Sequence, residues 1–356
     1  MPAVEKLLQA VSLGDIELKN RVVMAPMTRS RAADDDLVGD LHVEYYAQRA
    51  SAGLIITEGT QPSRDGKGYN RTPGIYNNAQ AEAWQRVTDA VHERDGKIVC
   101  QIMHCGRVGS PLNKHPDAEL VAPSAIRCRE QIFTEQGMQD MPEPRALDSK
   151  EIPIIVEQYK HATIKAFDAG FDGVELHCTS GYLPAQFLST GTNQREDEYG
   201  GSLKNRLHFV LEVLEAMISV QGSGRVGMRI CPGNPFNDLH DDDPAETFAA
   251  LLEAVNRFEL AYLHVIRRPD AELDNIALAQ ERFDGPLIVN ESYDASEAEQ
   301  AVSQEKIAAV SFGRHYIGNP DLVTRFAKGA ELARFDAKKL YTAGPEGYID
   351  YPPLHD

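Results

Sequence analysis

Eight short apolar runs, each followed by an amphipathic segment, constrain this chain more than any other feature. The runs are RVVMAP (Arg21 to Pro26), LIITEG (Leu54 to Gly59), KIVCQIMH (Lys97 to His104) and GVELHC (Gly173 to Cys178). Four more follow: RVGMRIC (Arg225 to Cys231), AYLHVIR (Ala261 to Arg267), PLIVNES (Pro286 to Ser292) and AAVSFGR (Ala308 to Arg314). All are rich in β-branched residues and lack regular polar alternation, the mark of strands covered on both faces. Between them, Leu203, Leu207, Val210, Leu211, Leu214, Met217 and Ile218 form a helical stripe, and Trp84, Val87 and Val91 begin another. Asp243-Pro244-Ala245-Glu246 reads as a helix cap with proline in the first turn, and Asn319-Pro320 as a second such opening. Eight strand–helix units in 356 residues predict an α/β fold, a single (β/α)8 barrel spanning 1–356. An open doubly wound sheet would want a Gly-rich dinucleotide turn after its first strand, and none is present. The stretch from Gly106 to Ser149 (106–149) is too long for an ordinary loop and is expected to form a capping insertion after the third strand.

Charge narrows the partners. With 54 acidic residues against 36 basic ones the chain carries −18, which argues against nucleic acid or an anionic membrane as its partner. A local basic pocket for one phosphate stays open. Five cysteines, odd in number and without a CxxC pair, speak against a disulfide framework, a zinc site or an iron–sulfur cluster. No apolar run is long enough to span a membrane, and the first residues lack a signal-peptide pattern. A cytoplasmic monomer or small homo-oligomer is the expectation.

In a barrel the C-terminal ends of the strands converge on the active face. The first strand ends in Ala25-Pro26-Met27-Thr28-Arg29, the second in Glu58-Gly59-Thr60, and the third carries Gln101, Met103, His104 and Arg107. The fourth delivers His177, Ser180, Gly181 and Tyr182, the fifth Arg229, and the eighth Gly313-Arg314. This set is poor in carboxylates, so it suits neither paired-acid glycoside hydrolysis nor a metal cluster. Neutral hydrogen-bonding groups with two arginines suit an organic cofactor that has polar edges and a phosphate. Barrels often bind phosphate after strands seven and eight, where Asn290-Glu291-Ser292 and Gly313-Arg314 would supply amides and a charge. The Glu291 side chain must then turn away. A tight turn with a solvated cation is the plain alternative for Gly313-Arg314.

The chain also resembles a known family nearly end to end. LKNRVVMAPMTRSRA, YYAQRASAGLIITEGTQ, QIMHCGRV, GFDGVELH, SGYLPAQFLSTGTNQREDEYGGSLKNR, NPFNDLHDDDP, VSFGR, NPDLV and GPEGYIDYP are similar, in order, to the Old Yellow Enzyme family of ene-reductases. The resemblance implies an FMN-dependent oxidoreductase on a TIM barrel, taking hydride from NADPH or NADH. It would reduce the activated C=C bond of α,β-unsaturated carbonyl or nitro compounds, with alternating binding of the two substrates. Reduction of nitrate esters or nitro compounds on the same flavin is the alternative. A barrel that has lost its flavin is opposed by the intact Thr28, Gln101 and Arg229, and an iron–sulfur branch by the cysteine pattern.

Residue by residue, the resemblance places Ala25, Pro26, Met27, Thr28 and Gly59 along the flavin ring. Gln101 would face its pyrimidine edge and Arg229 the position that turns anionic on reduction. Asn290, Glu291, Ser292, Gly313 and Arg314 would surround the phosphate. His177 would donate to the substrate oxygen, and Tyr182 would protonate Cα. A salt-bridged strand end is the bland alternative for Arg229, a satisfied polar residue for His177 and a packed aromatic for Tyr182. Tyr69, Met103 and Tyr341 match pocket walls, with lid packing as the alternative for the two tyrosines. Three departures stand out. The family usually has Asn or His three residues after the histidine, where this chain has Ser180; Met103 replaces a common Trp; and His315-Tyr316 replaces a common Pro-Phe. Ser180 would reach substrate only through water. Cys178, beside His177, is expected to face outward as packing.

Overall fold

The computed structural model describes residues 4–354. Its centre is a closed parallel barrel in which each expected run supplies one strand. These are β1 (Val22–Met24), β2 (Leu54–Ile56), β3 (Ile98–Ile102), β4 (Gly173–His177), β5 (Val226–Ile230), β6 (Tyr262–Ile266), β7 (Leu287–Asn290) and β8 (Ile307–Phe312). Neighbours in sequence pair in register, and β8 closes on β1 with Ser311 opposite Val23. The helices that return the chain are α1 (Asp40–Gln48), α2 (Asn78–His92), α3 (Ile152–Asp168), α4 (Leu203–Gln221), α5 (Pro244–Val255), α6 (Asn275–Arg282), α7 (Ala295–Ala301) and α8 (Leu322–Lys328).

Strand alternation sorts the side chains into two cores. Val174, Leu176, Met228, Ile230, Leu263 and Val265 pack outward against the helices. Val23, Leu54, Ile56, Val99, Tyr262, Ile288 and Ala309 pack inward. Cys178 joins the outer core, and all five cysteines are free and buried.

Two features go beyond the sequence reading. A short antiparallel hairpin, Val11–Leu13 with Ile16–Leu18, places Leu13, Ile16 and Leu18 in the inward core as a plug. Its turn requires Gly14, where φ is +55° and a Cβ would lie 2.5 Å from the Gly224 carbonyl oxygen. At the other end, Arg29 Nη2 donates to Gly347 O at 2.6 Å, Arg31 Nη1 to Leu340 O at 2.6 Å and Arg31 Nη2 to Glu346 O at 3.0 Å. Tyr348 stacks on Tyr45 with centroids 4.0 Å apart. The turn after β1 therefore straps down the C-terminal GPEGYIDYP segment and fixes Tyr341 beside it.

Helix caps follow the sequence with one correction. Asp243 accepts from the Glu246 amide at 2.9 Å and opens α5 as expected. Asn319 does not cap the last helix. Its amide nitrogen donates to His315 O and Ala333 O, and its oxygen accepts from Ala333 N at 2.7 Å, so it ties down the segment after α8 instead. The helix begins after Asp321, which makes no side-chain capping bond. Within 106–149, the hairpin Gln131–Thr134 with Gly137–Asp140 and the bridge of Val121–Ala122 to Arg145–Ala146 supply the order that the sequence left open.

Candidate active site

A cavity of about 1710 Å³ opens at the C-terminal ends of the strands. Single ligand sites run to roughly 300–1,000 Å³, so this one has room for two molecules stacked together. Its lining includes Ala25, Pro26, Met27 and Thr28 after β1, Gly59 after β2, Gln101 and Met103 from β3, and His177 and Tyr182 from β4 and its loop. Arg229 within β5, Asn290 at the end of β7, Glu291 and Ser292 after it, and Gly313 and Arg314 after β8 also line it. Tyr69 and Tyr341 complete the set from two loops. Met103 packs so closely on Gly59 that a Cβ there would lie 2.5 Å from the thioether sulfur.

Ser180 is the exception. It does not line the cavity; it sits at φ +59° in the turn that follows β4, where its carbonyl accepts from Asn237 Nδ2 at 2.8 Å. Asn237 takes the place on the wall. The same amide reaches the Tyr69 hydroxyl at 3.4 Å, and the Tyr69 and Tyr182 hydroxyls lie 3.1 Å apart. The Tyr182 ring stands edge-on to His177, with centroids 4.8 Å apart. Asn237 lies within the NPFNDLHDDDP motif, but nothing in that string marks it as a wall residue.

Burial sets the protonation states. His177 is 5% exposed, and desolvation followed by the nearby Arg229 charge holds its pKa well below the ordinary value. The ring is therefore neutral near pH 7, and its Nδ1 has no hydrogen-bond partner among the described residues. Desolvation, then Tyr69, pushes the Tyr182 phenol well above its usual value, so it stays protonated.

The floor of the cavity is polar, which the strand-end reading missed in part. Gln101 Nε2 donates to Glu175 Oε1 at 2.7 Å, and Glu175 Oε2 lies 3.0 Å from His264 Nδ1. His264 Nε2 lies 2.8 Å from Ser311 Oγ, Asn290 Nδ2 donates to Ser311 O at 3.0 Å, and Arg229 Nη2 donates to Asn290 Oδ1 at 2.8 Å. Glu175 and His264 sit in the middle of strands and point inward, below the strand ends on which attention falls.

Expected phosphate contacts hold a different arrangement. Arg314 is paired with the Glu291 carboxylate and with Ser292 Oγ, so Glu291 does not turn away from the turn after β8. Glu291 and Ser292 are both left-handed, at φ 89° and 56°. Their amides and that of Gly313 have no hydrogen-bond partner among the described residues. These free donors, with the unpartnered Arg229 Nε, fit a ligand that carries a phosphate at one end and hydrogen-bond acceptors at the other. The residues present therefore fit FMN. The insertion contributes Glu130, Gln131, Ile132, Phe133 and Met141 to the rim, and the strapped C-terminal segment contributes Leu332 to Phe335 and Leu340 to Thr342.

Comparison with known proteins gives the family. The model of the NADH:flavin oxidoreductase / NADH oxidase family matches residues 6–333. A Leishmania infantum protein named probable flavin mononucleotide-dependent alkene reductase is 40% identical, with 98% of each chain covered. Morphinone reductase in complex with tetrahydroNAD superposes with a TM-score of 0.94 at 42% identity, covering 99% of this chain and 98% of that one. The old yellow enzyme homologue from Zymomonas mobilis superposes with a TM-score of 0.95 at 36% identity, covering 98% and 100%. The chain belongs to the NADH:flavin oxidoreductase / NADH oxidase family, as an FMN-dependent, NAD(P)H-linked oxidoreductase of the Old Yellow Enzyme type.

Proposed function

We propose that the protein reduces the C=C bond of alkenes activated by a carbonyl or nitro group. The observation that carries this reading is the juxtaposition of a neutral imidazole and a protonated phenol, His177 and Tyr182, on one wall of a cavity that also holds unpartnered amide donors. FMN, when bound, supplies the two-electron carrier between nicotinamide and alkene. Ala25, Pro26, Met27, Thr28 and Gly59 would line its ring, Gln101 and Arg229 would meet its pyrimidine edge, and the amides of Glu291, Ser292 and Gly313 would receive its phosphate. Arg314, paired with Glu291, would add its charge to that end of the site.

His177 donates a hydrogen bond to the carbonyl or nitro oxygen, where negative charge builds as hydride reaches Cβ. A donor already in place costs no reorganisation at that moment. Tyr182 holds the proton for Cα; its hydroxyl is fixed by that of Tyr69, which Asn237 holds in turn. The second oxygen donor that Ser180 would have supplied is absent from the wall, so His177 carries that work largely alone. Slow turnover of weakly activated enones and retained turnover of maleimides or nitroalkenes are the expected pattern. One cavity serves both nicotinamide and alkene, so each excludes the other and initial-rate plots are parallel, as for a ping-pong reaction. Intersecting plots would contradict the shared site. Nitrate esters compete for the same space, and side-by-side steady-state turnover against an enone ranks the two substrate classes.

A further inference from the structure

Six adjacent strands each send one polar side chain to the floor of the cavity: Gln101, Glu175, Arg229, His264, Asn290 and Ser311. Four of them line the cavity, while Glu175 and His264 lie beneath it and are fully buried. We propose that Glu175 is the positioning residue of the cofactor site: through its hydrogen bond it orients the Gln101 amide presented to the flavin, and through its charge, near that of Arg229, it sets the flavin's reduction potential. This rests on the FMN reading above.

Geometry fixes the amide. Glu175 Oε1 accepts from Gln101 Nε2 at 2.7 Å, and a flipped amide would set oxygen against carboxylate oxygen. The carboxylate therefore fixes which end of Gln101 points down, and leaves the carbonyl oxygen and the second N–H for a ligand. That pair of groups complements a ring edge that alternates N–H donor and carbonyl acceptor, as the flavin pyrimidine does.

Charge acts alongside geometry. Arg229 is the cation buried at the floor, opposite His177, and Glu175 is the buried anion one inward step lower on that neighbouring strand, close enough for the two charges to act on each other. Burial alone would raise the Glu175 carboxyl, but the His264 ring, the Arg229 guanidinium and the Gln101 amide together hold it below its ordinary value. His264 is anchored at both ends, by Glu175 and by Ser311, and desolvation keeps its pKa low, so it serves as a hydrogen-bonded spacer. With Glu175 ionised, the floor beneath the ring is close to neutral. Without it, Arg229 acts uncompensated on a ring that gains negative charge when reduced.

Glu175→Gln tests this directly, because it keeps size and an acceptor for Gln101 while it removes the charge. The variant is expected to retain FMN and to shift the bound flavin's midpoint potential upward, favouring the reduced form by at least about tenfold. Glu175→Asp keeps the charge but withdraws the acceptor by one methylene. It is expected to hold the potential near wild type and to weaken oxidised FMN binding severalfold. An unshifted potential in a yellow Glu175→Gln protein overturns the proposal. Should that variant fail to fold, unaltered FMN affinity in Glu175→Asp overturns it instead. Wild-type protein that takes up no FMN overturns both this inference and the functional reading, whereas a yellow wild type with a silent Glu175→Gln overturns this inference alone.

Discussion

Replacing Tyr182 with Phe is expected to lower the rate of alkene reduction by roughly 10²–10⁴-fold, the span of a lost general acid. Hydride uptake from NAD(P)H should stay within a few-fold, since no proton on Tyr182 enters that half of the cycle. The substitution keeps the ring in place against His177, where the side chain is only 7% exposed, so folding is preserved. What disappears is the hydroxyl and its 3.1 Å contact with Tyr69. Stopped-flow traces of the two half-reactions separate the effects. Equal slowing of both halves would assign Tyr182 to packing rather than proton delivery. Tyr69→Phe removes only the partner and is expected to cost far less.

His177→Ala is the second large effect. A preorganised donor to a developing oxyanion is worth about 10²–10³ in rate, and with Ser180 off the wall no neighbouring side chain from the same turn takes over. The loss should fall on kcat/KM for enones and be smaller for substrates whose own nitro group stabilises the charge. The protonation states add a pH signature. His177 is held below its ordinary value, so it loses its proton well under neutrality; Tyr182 is held above its own, so it keeps its proton well past it. Neither group changes state between about pH 6 and about pH 9. The alkene half-reaction is therefore expected to be flat across that range. A rise or fall with a midpoint near neutrality that survives Glu58→Gln, which removes the one carboxyl among the described residues that burial raises to about 7, would show that His177 or Tyr182 titrates where burial says it does not.

How much of this was legible in the sequence depends on where each residue sits. The barrel was readable because strands covered on both faces leave uninterrupted apolar runs, and all eight runs became strands within a few residues of their expected ends. The strand-end rule picked out the right face of the barrel, and of the eighteen site residues that the resemblance implied, two of them on loops, all but Ser180 lie on the cavity wall. Ser180 failed because that rule stops at the strand: three residues after β4 the backbone turns left-handed, and the side chain is off the wall. Glu175 and His264 were hidden for the opposite reason. Each is a single polar residue inside an apolar run, and only the register of β3 to β8 shows that they meet across the barrel. Asn237 and the arginine-held C-terminal strap depend on contacts between segments far apart in sequence, which no local pattern encodes. The plug hairpin is two three-residue strands, too short for its alternation to register.

The most direct test is to mix the purified protein with its two substrates in turn, without oxygen. The account predicts a yellow protein whose colour, released by acid, is one FMN per chain. NAD(P)H alone bleaches that colour, and a maleimide or nitroalkene added after the nicotinamide is removed restores it while the alkene is reduced. A protein that cannot be loaded with FMN, or one that bleaches with NAD(P)H but is never recoloured by any activated alkene, would contradict it.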